Sequence, residues 1–190
     1  MHRSVHIGYR VRVVAYGYFL FVIGLQLLER SAGALAYGLL ALQCLVFPQL
    51  AYLRARRAAD PKAAELANVH VGSVLLGAWS AALGFPTWIA YAACSAAALT
   101  GAVTQGVVGV AYAITLYIFG VLAWIVPFGL EYRPSTSGLV TALCFLGALG
   151  FATLIGCMAY NLRRALRGLA HLERRRHDRL MGPFDPGGKA

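Results

Sequence analysis

The placement of charge constrains this chain most: long apolar runs have no Asp, Glu, Lys or Arg near their middles, and the basic residues gather in a few clusters at their ends. A helix rises about 1.5 Å per residue, so runs of about 20 residues match the roughly 30 Å hydrocarbon core of a bilayer. Lipid offers the backbone no hydrogen-bond partners, and a segment inside it must satisfy its own N–H and C=O groups, as a helix does. Composition agrees: 59% of the residues are hydrophobic, only 13% are charged and the mean hydropathy is +0.66. Soluble domains carry about 25% charged residues. An all-α integral membrane protein is predicted, built as one bundle with a tail and without internal repeats.

Six spans are expected. The first covers residues 11–28 and is closed by Glu29 and Arg30. The second covers 32–53, with Pro48 near its far end, where a proline kinks or ends a regular helix. A polar linker, "RARRAADPKAAE", leads to the third span, which begins at Leu66 and runs to Leu83. "GFP", a tight turn, separates it from the fourth at 86–100. The fourth fades through "AAALTGAVTQG" with no charge to end it. The fifth runs over 107–126 to Pro127, and the sixth over 138–160 to Asn161 and Arg163. Residues 1–10 form an N-terminal segment, 11–160 the bundle, and 161–190 a basic helix and tail. The first apolar run lacks a small-residue cleavage site, so no cleavable signal peptide is expected.

Basic flanks are retained on the cytoplasmic side. With six spans, one face receives the N-terminus with Arg10 and Arg12, the second-to-third loop with Arg54, Arg56 and Arg57, and the C-terminus with Arg163, Arg164 and Arg167. That face holds 15 of the 17 basic residues, leaving Arg30 and Arg133 for the other. An odd number of spans would divide the arginines, so both termini are expected in the cytoplasm. The net charge of +10 is therefore a topology signal, and nucleic acid is not an expected partner. The expected partners are the bilayer and its anionic headgroups beside the basic clusters.

A charge at the bilayer centre marks an ion or proton pathway, and none of the six spans has one, which argues against a pump or exchanger. The polarity that remains is uncharged: Gln26, Gln43, Asn68 and His70 are candidates for sensing or for interhelical hydrogen bonds. His70 has no second histidine at its depth, the others being His2, His6, His171 and His177 in the tails, so no haem or other cofactor is expected. Cys44, Cys94, Cys144 and Cys157 lie in apolar runs without metal-ligand spacing and read as small buried hydrophobes. Gly77, Ala81 and Gly84 would let the third span approach a neighbour closely. No nucleophile, acid–base pair or metal cluster shares a membrane face, so the chain is not expected to be an enzyme.

Four stretches carry a family likeness: "AYGYFLFVIGLQLLER" (15–30), "FPQLAYLRARRAADPKAAELAN" (47–68), "LLGAWSAALGFPTWIA" (75–90), and the last span leading into "NLRRALRGLAHLERRR". Over about residues 10–173 the chain resembles the second type of membrane-associated sensor domain, MASE2. The resemblance implies a six-helix sensor and anchor in the bacterial inner membrane, placed before a cytoplasmic diguanylate (GGDEF) or class III adenylate cyclase domain. It implies a role as the input module of cyclic-nucleotide signalling, cyclic di-GMP included. A small channel or transporter is the alternative, and would need a polar pathway that the sequence does not display. "HDRLMG" (177–182) is similar to the "HDxLTG" entrance of a diguanylate cyclase domain, with Met181 in place of threonine. "FDPGGKA" does not continue that domain, so either a truncated or frame-shifted relic or a stand-alone bundle is expected. Leu162, Leu166 and Leu169 have the spacing of a short coiled-coil seam, a candidate surface for a homodimer.

Overall fold

The fold is that of a computed structural model, which describes residues 2–157 and residue 159. The expected seam of Leu162, Leu166 and Leu169, and the arginines at 163, 164 and 167, lie outside the described residues. The chain divides into two units, Met1–Ala152 and Thr153–Ala190, and all the packing below lies within the first.

Among the described residues the structure is helical throughout, without strands. Helix α1 is His2–Glu29, α2 is Ala34–Arg57, α3 is Pro61–Ala82, α4 is Thr87–Phe128 and α5 is Gly138–Cys157. Four of them have stretches long and apolar enough to cross a membrane: Tyr9–Glu29, Ala34–Arg57, Thr87–Phe128 and Gly138–Cys157. The helix Thr87–Phe128, 42 residues long, contains both the fourth and the fifth expected spans. Helix α3, at 22 residues, covers the third; Lys62, Glu65, Asn68 and His70 make its first turns more polar than the rest.

Pro48 neither ends α2 nor stands alone as a kink. A π-helical turn at Leu42–Val46 immediately precedes it, and the helix continues to Arg57. A proline lacks the N–H of the helical ladder and its ring presses on the carbonyl four residues back. The wider π turn makes room for the ring, and Pro48 is itself buried. Helix α3 starts five residues before the expected Leu66. Asp60 accepts hydrogen bonds from the backbone N–H groups of Lys62 (2.9 Å) and Ala63 (3.2 Å), and Pro61 occupies the first helical position, where its missing N–H does no harm.

At the other end of α3, Phe85 N–H bonds to Ser80 C=O and Gly84 N–H to Ala81 C=O, both at 2.8 Å. This is a Schellman ending, and Gly84 has the positive φ of 70° that it requires. The fading fourth span ends instead at Gly106, whose φ of 67° and ψ of −144° are open only to glycine. The two limbs of α4, 87–105 and 107–128, fold back on each other there. Gly101 and Gly109 meet so closely that a Cβ on either would overlap the other's carbonyl. Helix α3 crosses the second limb by the same means: a Cβ on Gly77 would overlap the Tyr117 carbonyl, and one on Gly120 the Val74 carbonyl.

The surface of the unit is unlike that of a water-soluble fold. Gln26, Asn68, Ser73 and Ser80 are buried, whereas Val14, Leu35, Val107 and Val126 are 72–87% exposed. Such an apolar surface suits lipid, and small or polar side chains mediate contacts between helices in that solvent. Helix α1 is the hub. Tyr16 packs on Phe47 of α2 (ring centroids 5.5 Å apart), Phe19 on Trp79 of α3 (6.5 Å), and Tyr18 donates to the Leu143 carbonyl of α5. Around it Val22, Ile23 and Leu27 join Leu40, Cys44, Ile89, Val140 and Cys144 in the core.

Candidate functional site

The contacts of α1 with its neighbours place the charged residues at two ends. At one, Tyr9 donates to Gln49 Oε1 (2.8 Å) and stacks on Tyr52 at 4.7 Å, which brings the start of α1 beside the end of α2. Arg10, Arg54, Arg56 and Arg57 are all exposed there. Arg12 differs from them. Its side chain is 11% exposed, and its guanidinium pairs with Glu65 at 2.5 Å. Glu65 Oε2 in turn accepts from Asn68 Nδ2 (3.4 Å), and Asn68, buried, also donates to the Ala51 carbonyl (3.0 Å). One polar network thus joins α1, α2 and α3, beneath a rim of free arginines.

Deeper in the same three helices, Gln43 accepts a 2.5 Å hydrogen bond from the indole N–H of Trp79. Its Nε2 is enclosed and has no partner. Gln43 and Trp79 belong to the wall of an apolar groove of about 540 Å³ between α2 and α3, which Leu27 of α1 and Trp124 of α4 also line. Gln26 stands apart from this groove, buried in α1 with its Oε1 unpartnered. His70 lies beside the ring of Tyr112, 6.2 Å between centroids. Asn68 alone of the four polar candidates joins a network of several side chains, while Gln43 joins a groove. The four candidates do not form one site.

Three features escaped the sequence reading. Glu65 was hidden inside a stretch read as linker, although Asp60-Pro61 signals the helix start that puts it opposite Arg12. Tyr117 donates to Ser80 Oγ at 2.6 Å in a buried contact, and nothing in the sequence marks that pair. Arg30, read only as a minority charge, binds three connections together. Its guanidinium donates to the carbonyls of Leu83 and Arg133 (2.8 Å to the latter), while Arg133 N–H bonds to Gly84 C=O at 2.7 Å. Desolvation, and the neighbouring Arg133 charge after it, lower the pKa of Arg30 from its ordinary value. Its position next to Glu29 at a helix end was the available signal.

Chemically, the described residues hold no group of three or more His, Cys, Asp or Glu side chains able to take a metal ion. The four cysteines are free. The arrangement offers binding and mechanical coupling between helices.

Residues 8–95 match the MASE2 domain. The family model and the resemblance drawn from the sequence name the same domain, a membrane sensor domain of signalling proteins. The MASE2 match runs from α1 into the first limb of α4, a shorter stretch than the expected 10–173. It contains Arg12, Glu65 and Asn68 of the polar network and Gln43 and Trp79 of the groove. No curated protein and no solved structure matches the chain.

Proposed function

We propose that the chain is the membrane-embedded sensory and anchoring input module of a bacterial cyclic-nucleotide signalling protein. The observation that carries this is the MASE2 match over residues 8–95. The apolar helices and their lipid-compatible surface support it. Six crossings place residues 1–10 and 161–190 in the cytoplasm and the bundle, 11–160, in the inner membrane. Anionic headgroups meet Arg10, Arg54, Arg56 and Arg57 at the rim. Leu162, Leu166 and Leu169 pair two copies and pass a change of helix packing towards an output domain. The chain's own residues receive and transmit, and they carry out no catalysis.

The test is a graft. Residues 1–176 are joined to a diguanylate cyclase catalytic domain, and cyclic di-GMP is measured in cells against the catalytic domain alone. The expected outcome is membrane-bound activity that changes when Arg12 or Asn68 is substituted. Activity in the soluble fraction, or activity indifferent to every substitution in the bundle, would count against an input role. Purified chain making cyclic di-GMP or cyclic AMP by itself would refute the non-catalytic assignment.

A further inference from the structure

The groove between α2 and α3 contains one polar group with an unmet need, and that need has a definite sign. Trp79 Nε1 can only donate. The Gln43 carboxamide must therefore present its oxygen to the indole, at 2.5 Å, and cannot be turned round. This leaves Nε2, a donor, enclosed and without an acceptor. An unpaired polar group in an apolar interior is unfavourable, and here it stands in the π turn at Leu42–Val46, a local departure from regular helix of the kind that often accompanies function.

Depth decides what can satisfy it. Gln43 is the tenth of the 24 residues of Ala34–Arg57, about 14 Å along the helix from Ala34. In a core roughly 30 Å thick that is close to the midplane. Bilayer lipids carry their ester carbonyls at the interface and have only hydrocarbon at this level. Water needs two to four polar partners to stay, and Gln43 is the only amide side chain in a wall otherwise made of apolar and indole groups. The lining holds no Lys, Arg, Asp or Glu, so a charged ligand has no counter-charge.

We infer that this groove binds an uncharged, lipid-soluble molecule consisting of a hydrocarbon body and a hydrogen-bond-accepting oxygen, which takes the Gln43 Nε2–H. Its volume is within the range of small-molecule sites. The exposed Leu39, Leu42 and Leu50 flank it, giving entry from the lipid side. The donor is covered in this structure, so an acceptor reaches it when a side chain of the wall turns. The inference rests on the sensor reading for its purpose, while binding itself is measurable without it.

The experiment uses the full chain in lipid nanodiscs and two probes of equal length, 2-tridecanone and tridecane, titrated by tryptophan fluorescence. Trp79 and Trp124 both line the groove. The ketone is expected to bind about tenfold more tightly than the alkane, with its carbonyl stretch shifted to lower frequency in the infrared. Gln43→Leu is expected to abolish both the preference and the shift. Equal affinity for the two probes in the unaltered chain, or a preference that survives Gln43→Leu, would overturn the inference. If Gln43→Leu loses its helical circular dichroism, Ala78→Phe fills the groove from α3 instead. Saturable binding must then disappear, and its persistence overturns the site. A fall in oligomeric mass on Gln43→Leu, with no ketone preference in the unaltered chain, would assign the donor to a second copy and also overturn it. A positive titration together with an unresponsive cyclase graft would leave the site standing and reject the sensor role; the opposite pair of results would do the reverse.

Discussion

Arg12 shows why a residue's charge and its role have to be separated. The sequence places it with Arg10, Arg54, Arg56 and Arg57 as one of the residues that orient the bundle, and those four are solvated at the rim. Arg12 is instead turned inward onto Glu65, whose side chain is 28% exposed, and the pair is fastened to Asn68 and the Ala51 carbonyl. Exposed pairs contribute little, whereas removing one partner of a buried pair leaves an uncompensated charge and costs several kcal/mol. This pair lies between those limits. Arg12→Met is expected to destabilise the chain by about 1–3 kcal/mol, measured as unfolding in detergent. Adding Glu65→Leu should recover most of the loss, because both charges are then gone. If the two substitutions simply add, the pair is not coupled. Arg12 was legible as a basic residue near a membrane edge. Its partner was not, because the polar stretch around Glu65 has no apolar period and its one helix signal is the start at Asp60-Pro61.

Elements were legible wherever a local signal acts on the backbone directly, and illegible wherever the cause is a contact between helices. The "GFP" turn is a case of the first kind: a glycine able to take positive φ, followed by a proline, stops α3 and starts α4. The meeting of Gly101 with Gly109 is of the second kind: a break between the fourth and fifth spans was expected, with Thr104 and Gln105 interrupting the apolar run before Gly106, but the contact that holds the two limbs together was not. Pro48 lies between the two, since its disruptive chemistry was foreseen but the π turn that absorbs it was not. Inside an apolar surrounding a helix cannot end without stranding backbone groups, so the chain widens by one turn and carries on. Two predictions belong to this scale. Gly120→Ala puts a methyl group into the Val74 carbonyl and should cost at least about 1–3 kcal/mol, with α3 displaced from the second limb of α4. Tyr117→Phe, which removes the hydrogen bond to Ser80 across the same crossing, should then cost less than it does in the unaltered chain. Pro48→Ala restores an N–H to the ladder and should let α2 regain regular helical geometry. Gln43 then rotates away from Trp79, and tryptophan emission shifts. An unchanged spectrum would mean that the π turn is held by packing and not by the proline.

Across the whole bundle, the two ends differ in the kind of work their charges do. At one end, Arg10, Arg54, Arg56, Arg57 and Lys62 are exposed. At the other, Arg30 is committed to carbonyls of two connections, and Arg133 is paired with Glu131. The direction of a membrane protein follows the bias of basic residues near the ends of its spans, to which acidic neighbours contribute little. Reporter fusions that are active only outside the cytoplasm should be active at Ser31, Phe85 and Tyr132 and silent at Ala59 and Gly106. The same geometry separates the roles of the two arginine sets. Replacing Arg54, Arg56 and Arg57 together by glutamine should populate the inverted orientation while leaving the thermal midpoint of the correctly inserted fraction unchanged within about a degree, since the three side chains are solvated and make little net contribution to folding. Arg30→Gln should do the opposite. It removes the charge-assisted hydrogen bonds to Leu83 and Arg133, of which the part-buried one to Leu83 is worth about 1.5–3 kcal/mol and the exposed one to Arg133 less, and so should loosen the three connections and lower the midpoint with no change in fusion activity. If Arg30→Gln inverts the chain, or the triple substitution unfolds it, the division of labour between the two ends is wrong. The bundle would then be oriented by the connections that close it and not by the charges left free.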